Sequence, residues 1–295
     1  MLGRYPFLTP SRSRQGSVWR RSGYCGPSAY PNTEAMPSRS WSSSAWPRTT
    51  VLLPVYNAIR WLPFALHSLA GQTLEDFRVM IVDDGSRDGT AELVDRWCGD
   101  DERFLSIHLS TRRGIAYALN RGLAACHSPF IARMDADDQA APQRLEVLEE
   151  RLISDQKLMV LGSAAHVIPR HGQSWVWRPP LTHADIIRLM PRRCPLLHPS
   201  TIMRRALLLR LGGYRVALRH TEDQDLWLRA AVLPGVRFAN HPEPLLQYRL
   251  PHRHSWFRTC RTTAELVLLC WRHRTGLAGG LQAATFPFYW LPRWS

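Results

Sequence analysis

The chain has 295 residues, 45% of them hydrophobic, and a formal charge of +14. That length and apolar content suit one large domain or two modest ones around a buried core. A charge this high would ordinarily point to nucleic acid or an anionic membrane, but residues 1–48 carry +6 and residues 250–295 carry +5, which leaves +3 for the 201 residues between. With Lys157 the sole lysine, the arginine excess reads as composition, and nucleic acid is excluded as a partner.

Six cysteines (Cys25, Cys98, Cys126, Cys194, Cys260, Cys270) are scattered without a C-x-x-C pair, which excludes a zinc module and predicts reduced thiols in a cytoplasmic protein. No apolar run approaches the roughly 18–20 residues of a membrane span, and the N-terminus lacks the apolar core of a signal peptide. The expectation is a soluble protein, with peripheral attachment at the inner face of the membrane as the alternative. Residues 1–47, rich in Ser, Arg, Pro and Gly without periodicity, read as a disordered leader, and Met36 is an alternative start.

From Thr49 the texture changes. Thr50-Val-Leu-Leu-Pro-Val55 has strand length, and Trp61, Leu62, Ala65, Leu66 and Leu69 follow at helical spacing. Val79-Met-Ile-Val82 predicts a second strand, Ser86 or Asp88 a cap for a helix through Trp97, and Phe104 to Leu109 a third strand. A helix over Ile115 to Cys126 precedes the strand Phe130-Ile-Ala-Arg-Met134. The alternation predicts an α/β fold with a doubly wound, mainly parallel sheet, in which ligands bind beyond the carboxyl ends of the strands. Pro142 reads as the first residue of a helix carrying Leu145, Leu148 and Leu152 on one face, and short strands and loops up to about residue 250 predict a smaller mixed half on the acceptor side. The expected divisions are a catalytic body over 48–250, its nucleotide half 48–140 and acceptor half 141–250, and a basic, aromatic helical tail over 251–295.

Three acidic constellations carry chemistry. Asp83-Asp84-Gly85-Ser86 closes the second strand and Pro54-Val-Tyr-Asn57 the first, so both lie on one sheet edge, where carboxylates accept hydrogen bonds from a nucleobase N–H or from ribose hydroxyls; the same four residues also make an ordinary turn and cap. Asp135-Ala-Asp137-Asp138 closes the fourth strand, where the D-x-D spacing brings two carboxylates within reach of one hard cation, Mg²⁺ or Mn²⁺, that bridges a diphosphate. The alternative is an acidic cluster favoured by a helix dipole. Thr221-Glu-Asp-Gln-Asp225 packs three acids before an apolar helical segment; one of them near an anomeric carbon can act as general base, and all of them suit a helix N-terminus with Thr221 as cap. His198, beside Pro199, reads as a hydrogen-bonded loop histidine before a metal ligand, and Arg112 and Arg113 as phosphate contacts or solvated loop residues.

These segments together resemble family 2 of the glycosyltransferases. Pro54-Val-Tyr-Asn57, Gln72-Thr73, Val82-Asp-Asp-Gly-Ser86, Asp88-Gly-Thr90, Gly114, Ala118-Leu-Asn120, Gly122, Asp135-Ala-Asp137, His198-Pro-Ser200, Gly212-Gly-Tyr214 and Glu222-Asp223 occur in the family's order over roughly Thr50 to Arg249. The resemblance implies a GT-A fold and an inverting, metal-dependent enzyme using a nucleotide-sugar donor, with a UDP-sugar favoured, and a saccharide or lipid-linked saccharide acceptor. It implies that Pro54, Tyr56, Asn57 and one of Asp83 and Asp84 line the nucleoside pocket, and that Asp135 and Asp137 handle ribose, diphosphate and metal. Of the two acids Glu222 and Asp223, the aspartate is implied as general base. The Gln-x-x-Arg-Trp motif of the family's processive synthases has only the degenerate counterpart Trp290-Leu-Pro-Arg-Trp294, which favours a single-addition enzyme. A non-catalytic sugar-nucleotide binder would have no need of an acid at position 223, and a nucleotidyltransferase would want a glycine-rich phosphate loop where Asn57-Ala-Ile-Arg-Trp-Leu62 stands. For the tail two readings stand: a helix packed back on the body, or an aromatic and arginine-bearing segment lying in an anionic membrane interface.

Overall fold

The computed structural model describes residues 46–250 apart from 170, 192 and 219. The tail, and all but the last two residues of the expected leader, lie outside the described residues. The ordered chain begins with β1 (Thr49–Val55), α1 (Leu62–Ala70), β2 (Phe77–Asp83), α2 (Thr90–Asp100), β3 (Phe104–His108), α3 (Ile115–Ala125) and β4 (Phe130–Arg133). The four strands lie parallel in the order β3-β2-β1-β4, as the strand and helix alternation predicts.

Period-two alternation decides which side chain faces which layer. Val51 and Leu53 of β1 and Val79 and Ile81 of β2 face one side, with Leu62, Leu66 and Leu69 of α1 and Val94 of α2. Leu52, Met80 and Val82 face the other, against Leu119 and Leu123 of α3. Covered on both faces, these strands have to be apolar throughout; all seven residues of β1 are buried. Each fully buried Leu or Ile contributes about 1.5–3 kcal/mol relative to exposure. Gly122 lets α3 lie directly on the sheet: a Cβ there would collide with Leu52 and come within 2.9 Å of Val82 Cγ2.

The second half comprises β5 (Gln139–Ala140), α4 (Arg144–Ser154), β6 (Leu158–Ile168), β7 (Trp175–Trp177), α5 (His183–Leu189), a 3-10 turn (His198–Ser200), β8 (Ile202–Arg204), α6 (Arg205–Arg210), α7 (Glu222–Ala231) and β9 (Arg237–Arg249). The sheet continues β4-β8-β6-β9-β5, with β7 beside β6. β8 is antiparallel to both β4 and β6, so the half is mixed, as expected. Two of its strands are longer than expected: β6 has 11 residues and β9 has 13, paired in parallel through register shifts. Pro242 and Pro244 obscure β9 in the sequence, because proline interrupts a ladder unless a bulge accommodates it.

Two local assignments change. α4 begins at Arg144, with Gln143 at the cap; Pro142 precedes the helix, and its carbonyl accepts from the Thr73 amide at 2.9 Å. Asp88, one residue before the Gly89 cap, serves α2 by accepting from the Thr90 amide at 3.1 Å and hydroxyl at 2.5 Å. Ser86 plays no capping part, because its hydroxyl is turned to Asp83.

Candidate functional site

The parallel strands set the first part of the site by register, since Val55 is level with Asp83 and Asp83 with His108. Pro54 is buried within β1 beside Val82, so the chain opens towards solvent only at Tyr56 and Asn57, both exposed. Asn57 has a left-handed φ of 46°, which an asparagine tolerates better than most residues. Its amide donates to Ser86 Oγ at 2.9 Å, and its side-chain oxygen accepts from the Arg87 amide at 2.9 Å. The Arg112 guanidinium lies 4.1 Å from the Tyr56 ring centre, a cation–π contact.

Asp83 and Asp84, equivalent in sequence, separate in space. Both are buried. Asp83 turns towards β3, taking the Ser86 amide at 3.1 Å and hydroxyl at 2.5 Å on one oxygen and facing His108 Nδ1 at 3.3 Å with the other. Asp84 turns to the loop after β3, accepting the amides of Arg113 at 2.6 Å and Gly114 at 2.8 Å. That places the loop bearing Arg112 beside the turn. Gly85, with φ of +70°, allows the approach, since a Cβ there would meet the Thr111 carbonyl carbon at 2.9 Å.

The second part follows β4. Asp135, Asp137 and Asp138 offer carboxylate oxygens all within 4.8 Å of one another. Asp135 pairs with the buried Arg133 at 2.5 Å. Burial and the neighbouring Asp135 push Asp137 up to about 6, and burial with both neighbours pushes Asp138 well above the usual carboxylate range. Asp138 Oδ1 accepts the Arg249 amide at 2.9 Å, while its other oxygen has no hydrogen-bond partner among the described residues. Three crowded hard oxygens whose charges are only partly compensated by Arg133 fit a divalent cation of the Mg²⁺ or Mn²⁺ type. The antiparallel pair β5·β9 returns the chain to this turn, where Arg249 Nε donates to the Asp137 carbonyl at 3.3 Å and its guanidinium lies 3.8 Å from the Trp61 ring centre.

The third part is the N-terminal turn of α7. Thr221 occupies the cap position without a side-chain cap hydrogen bond. Asp225 is fully buried between Arg215 at 2.5 Å and Arg229 at 2.6 Å, so it is spoken for structurally. Glu222 and Asp223 remain. Burial, then the Asp223 charge, pushes Glu222 up to about 8, and burial raises Asp223. Asp223 is partly exposed and accepts the Gln224 amide at 2.7 Å. Asp135 acts electrostatically on both acids, raising them, and Arg133 lowers them; acids nearly ninety positions apart thus share one field. His198 is buried, hydrogen-bonded to the Tyr214 hydroxyl at 2.9 Å and packed edge-on to Trp227. Burial and Arg133 hold it far below the ordinary histidine range, so it is a neutral structural residue.

Several participants escape the acidic motifs. Arg133 and Arg144 are buried beneath the acidic turn, Arg144 donating to the carbonyls of Arg133 at 2.6 Å and Pro199 at 2.9 Å. The arginine inside the apolar run Phe130 to Met134 was the available signal for the first, and an arginine immediately before Leu145 for the second. Arg249 and His108 had none.

Against this geometry the likenesses are consistent. The profile described as Glycosyl transferase family 2 matches residues 50–212. The amylovoran biosynthesis glycosyltransferase AmsE of Erwinia amylovora is 30% identical over 202 residues, 68% of this chain and 75% of that protein. The chain spans about two thirds to three quarters of the length of the first curated relatives it matches. Among solved structures, S. aureus TarS 1–349 in complex with UDP superposes with a TM-score of 0.60 at 20% identity, covering 83% of this chain and 73% of that one. The Pyrobaculum calidifontis mannosyltransferase PcManGT, in complex with GDP-Man and Mn²⁺, gives 0.61 at 21% identity, covering 85% and 73%. The fold is that of the GT-A glycosyltransferases, and the chain belongs to glycosyl transferase family 2 and is a glycosyltransferase.

Proposed function

We propose that this enzyme inverts the anomeric configuration as it moves one sugar from a nucleoside-diphosphate sugar, with a UDP-sugar favoured, to a saccharide or lipid-linked saccharide during cell-surface polysaccharide synthesis. The observation that carries the reading is the convergence of the acidic turn after β4 with Glu222 and Asp223 in one electrostatic field. Leaving-group stabilisation and proton removal would have to be neighbours in this way. The relation to AmsE supports a polysaccharide product, and the UDP in the TarS complex supports the donor class.

In this reading Tyr56, Asn57 and Asp84 take the nucleoside. Asp84 is assigned the nucleobase N–H because its oxygens face the loop whose Arg112 stacks on Tyr56 and a carboxylate retains accepting capacity after two hydrogen bonds. Asp135 and Asp137 hold the cation, which when bound supplies charge neutralisation at the diphosphate. Asp223 accepts the proton of the acceptor hydroxyl as that oxygen attacks the anomeric carbon opposite the leaving diphosphate, and a single displacement inverts. Glu222, pushed up to about 8 by burial and the Asp223 charge, favours its protonated form at neutral pH. Residues 48–250 form the catalytic body, and the tail either packs on that body or makes peripheral contact with an anionic membrane. Among the described residues no helix is long and apolar enough to cross a membrane.

The test is a panel of UDP- and GDP-sugars with Mn²⁺, scored by nucleoside-diphosphate release and by which donor raises the melting temperature. A UDP-sugar that does both, with chelator abolishing both, supports the assignment; donor-independent melting and no release across the panel would overturn it.

A further inference from the structure

One connected group touches the nucleoside end without belonging to it. His108, the last residue of β3, is level with Asp83 of β2, and its ring lies between two carboxylates: Nδ1 is 3.3 Å from Asp83 Oδ2 and Nε2 is 3.0 Å from Asp95 Oδ1 on α2. Asp83 is buried, the imidazole is about one-third exposed, and Asp95 is mostly in solvent. From Asp83 the connection continues to the turn after β1: Oδ1 takes the Ser86 hydroxyl, and Ser86 Oγ takes the amide of Asn57, next to Tyr56. The chain Asp95, His108, Asp83, Ser86, Asn57 thus links a surface carboxylate on α2 to the exposed turn after β1.

We propose that His108 is a positioning residue for the nucleoside pocket, and that protonation of its ring tightens donor binding by locking Asp83, and through Ser86 the Tyr56-Asn57 turn, into one arrangement. The imidazolium has two N–H groups and holds both carboxylates at once; the neutral ring has one and releases one of them. Charge-assisted hydrogen bonds from the imidazolium are also the stronger ones. Asp83 on β2 and Asp95 on α2 are the charged groups that face the ring, and the Asp83 hydrogen bond, followed by Asp95, raises its pKa above the ordinary 6.5 against the opposing effect of burial. The doubly bonded state therefore persists to higher pH than for a free histidine and is lost as pH rises through that raised value.

This inference rests on the nucleoside reading of Tyr56, Asn57 and Asp84. The experiment measures KM for a UDP-sugar and kcat from about pH 5.5 to 9 in the wild type, His108→Gln, Asp95→Asn and Asp84→Asn. The ratio of the His108→Gln to the wild-type KM cancels ionisations the two proteins share, including those of the acidic turn. A Gln amide, like the neutral ring, cannot hold both carboxylates with charge-assisted bonds, so the ratio should be about fivefold at low pH and approach one at high pH, with kcat little changed. Asp95→Asn should keep the transition and move its midpoint to lower pH. A ratio constant with pH, or a midpoint indifferent to Asp95, overturns the proposal even if His108→Gln weakens binding uniformly. If Asp84→Asn weakens donor binding while His108→Gln does nothing, this inference alone fails; if Asp84→Asn is also without effect, the nucleoside reading has failed with it.

Discussion

Replacing Asp223 by Asn keeps the shape of the side chain and removes its capacity to accept a proton. The rate should fall by about 10²-fold or more, the range of general-base catalysis, while KM for the donor stays within a few-fold, since no donor contact is assigned to it. The structure adds a second consequence. Both acids at the start of α7 have raised folded-state values, with Glu222 at about 8 against an ordinary 4.5. A carboxyl whose folded value exceeds its unfolded one costs stability once pH passes the unfolded value, and the cost grows until pH reaches the folded value. For this pair the cost at pH 8 is on the order of a few kcal/mol. Asp223→Asn should therefore melt at a higher temperature than the wild type at about pH 8, with the difference closing towards about pH 4, so that lost turnover accompanies gained stability. Steady-state kinetics at saturating donor and melting curves across that range test both halves. A mild Asp223→Asn beside a crippling Glu222→Gln would refute the choice of base, and a melting temperature lowered at high pH would refute the account of the buried pair.

Asp137→Ala should abolish transfer and the Mn²⁺-dependent melting shift given by donor, while the protein without metal melts no lower, because it loses one of three mutually repelling carboxylates; full activity in this variant or in excess chelator would remove the metal assignment. Gly122→Ala should destabilise by about 1–3 kcal/mol through overpacking against Leu52 and Val82, read by urea unfolding, and a neutral effect would mean that α3 does not lie on the sheet as described. Deleting residues 276–295 should leave donor hydrolysis intact and reduce sedimentation with anionic liposomes; unchanged sedimentation would favour a tail packed on the body.

What the sequence shows and what it hides follow different physics. The parallel half is legible because strands covered on both faces must be apolar throughout, so Thr50 to Val55 and Val79 to Val82 announce themselves, and the amphipathic helices between them fix the winding. β9 is hidden because its two prolines read as loop until a partner strand with compensating register shifts is known. The candidate acids are likewise legible as residue type and spacing, which bring out Asp135, Asp137 and Glu222-Asp223. Division of labour within a motif is not. Adjacent residues on a strand end point in opposite directions, so Asp83 and Asp84 go to different neighbours, and only the fold says that Asp83 meets His108 while Asp84 meets the amides of the next loop.

The cations beneath the site make the same distinction in energetic terms. A cluster of three aspartates closing a buried strand is unfavourable in isolation, and the acidic motif by itself suggests that a metal ion is what makes it tolerable. In the fold, Arg133 pairs with Asp135 and its charge lowers Asp138, Arg144 lies fully buried with the Asp138 charge supporting its own, and the amide of Arg249 is bound to Asp138. The turn is therefore partly compensated before any ion arrives, and Asp137 and Asp138 are the members left with carboxyls raised by burial and by the neighbouring aspartates. A divalent cation would then be recruited to the residual charge of a preformed turn and would not be needed to fold it. That is why Asp137→Ala is expected to separate binding from stability: an apo protein that unfolded on this substitution would mean that the arginines do not carry the compensation assigned to them.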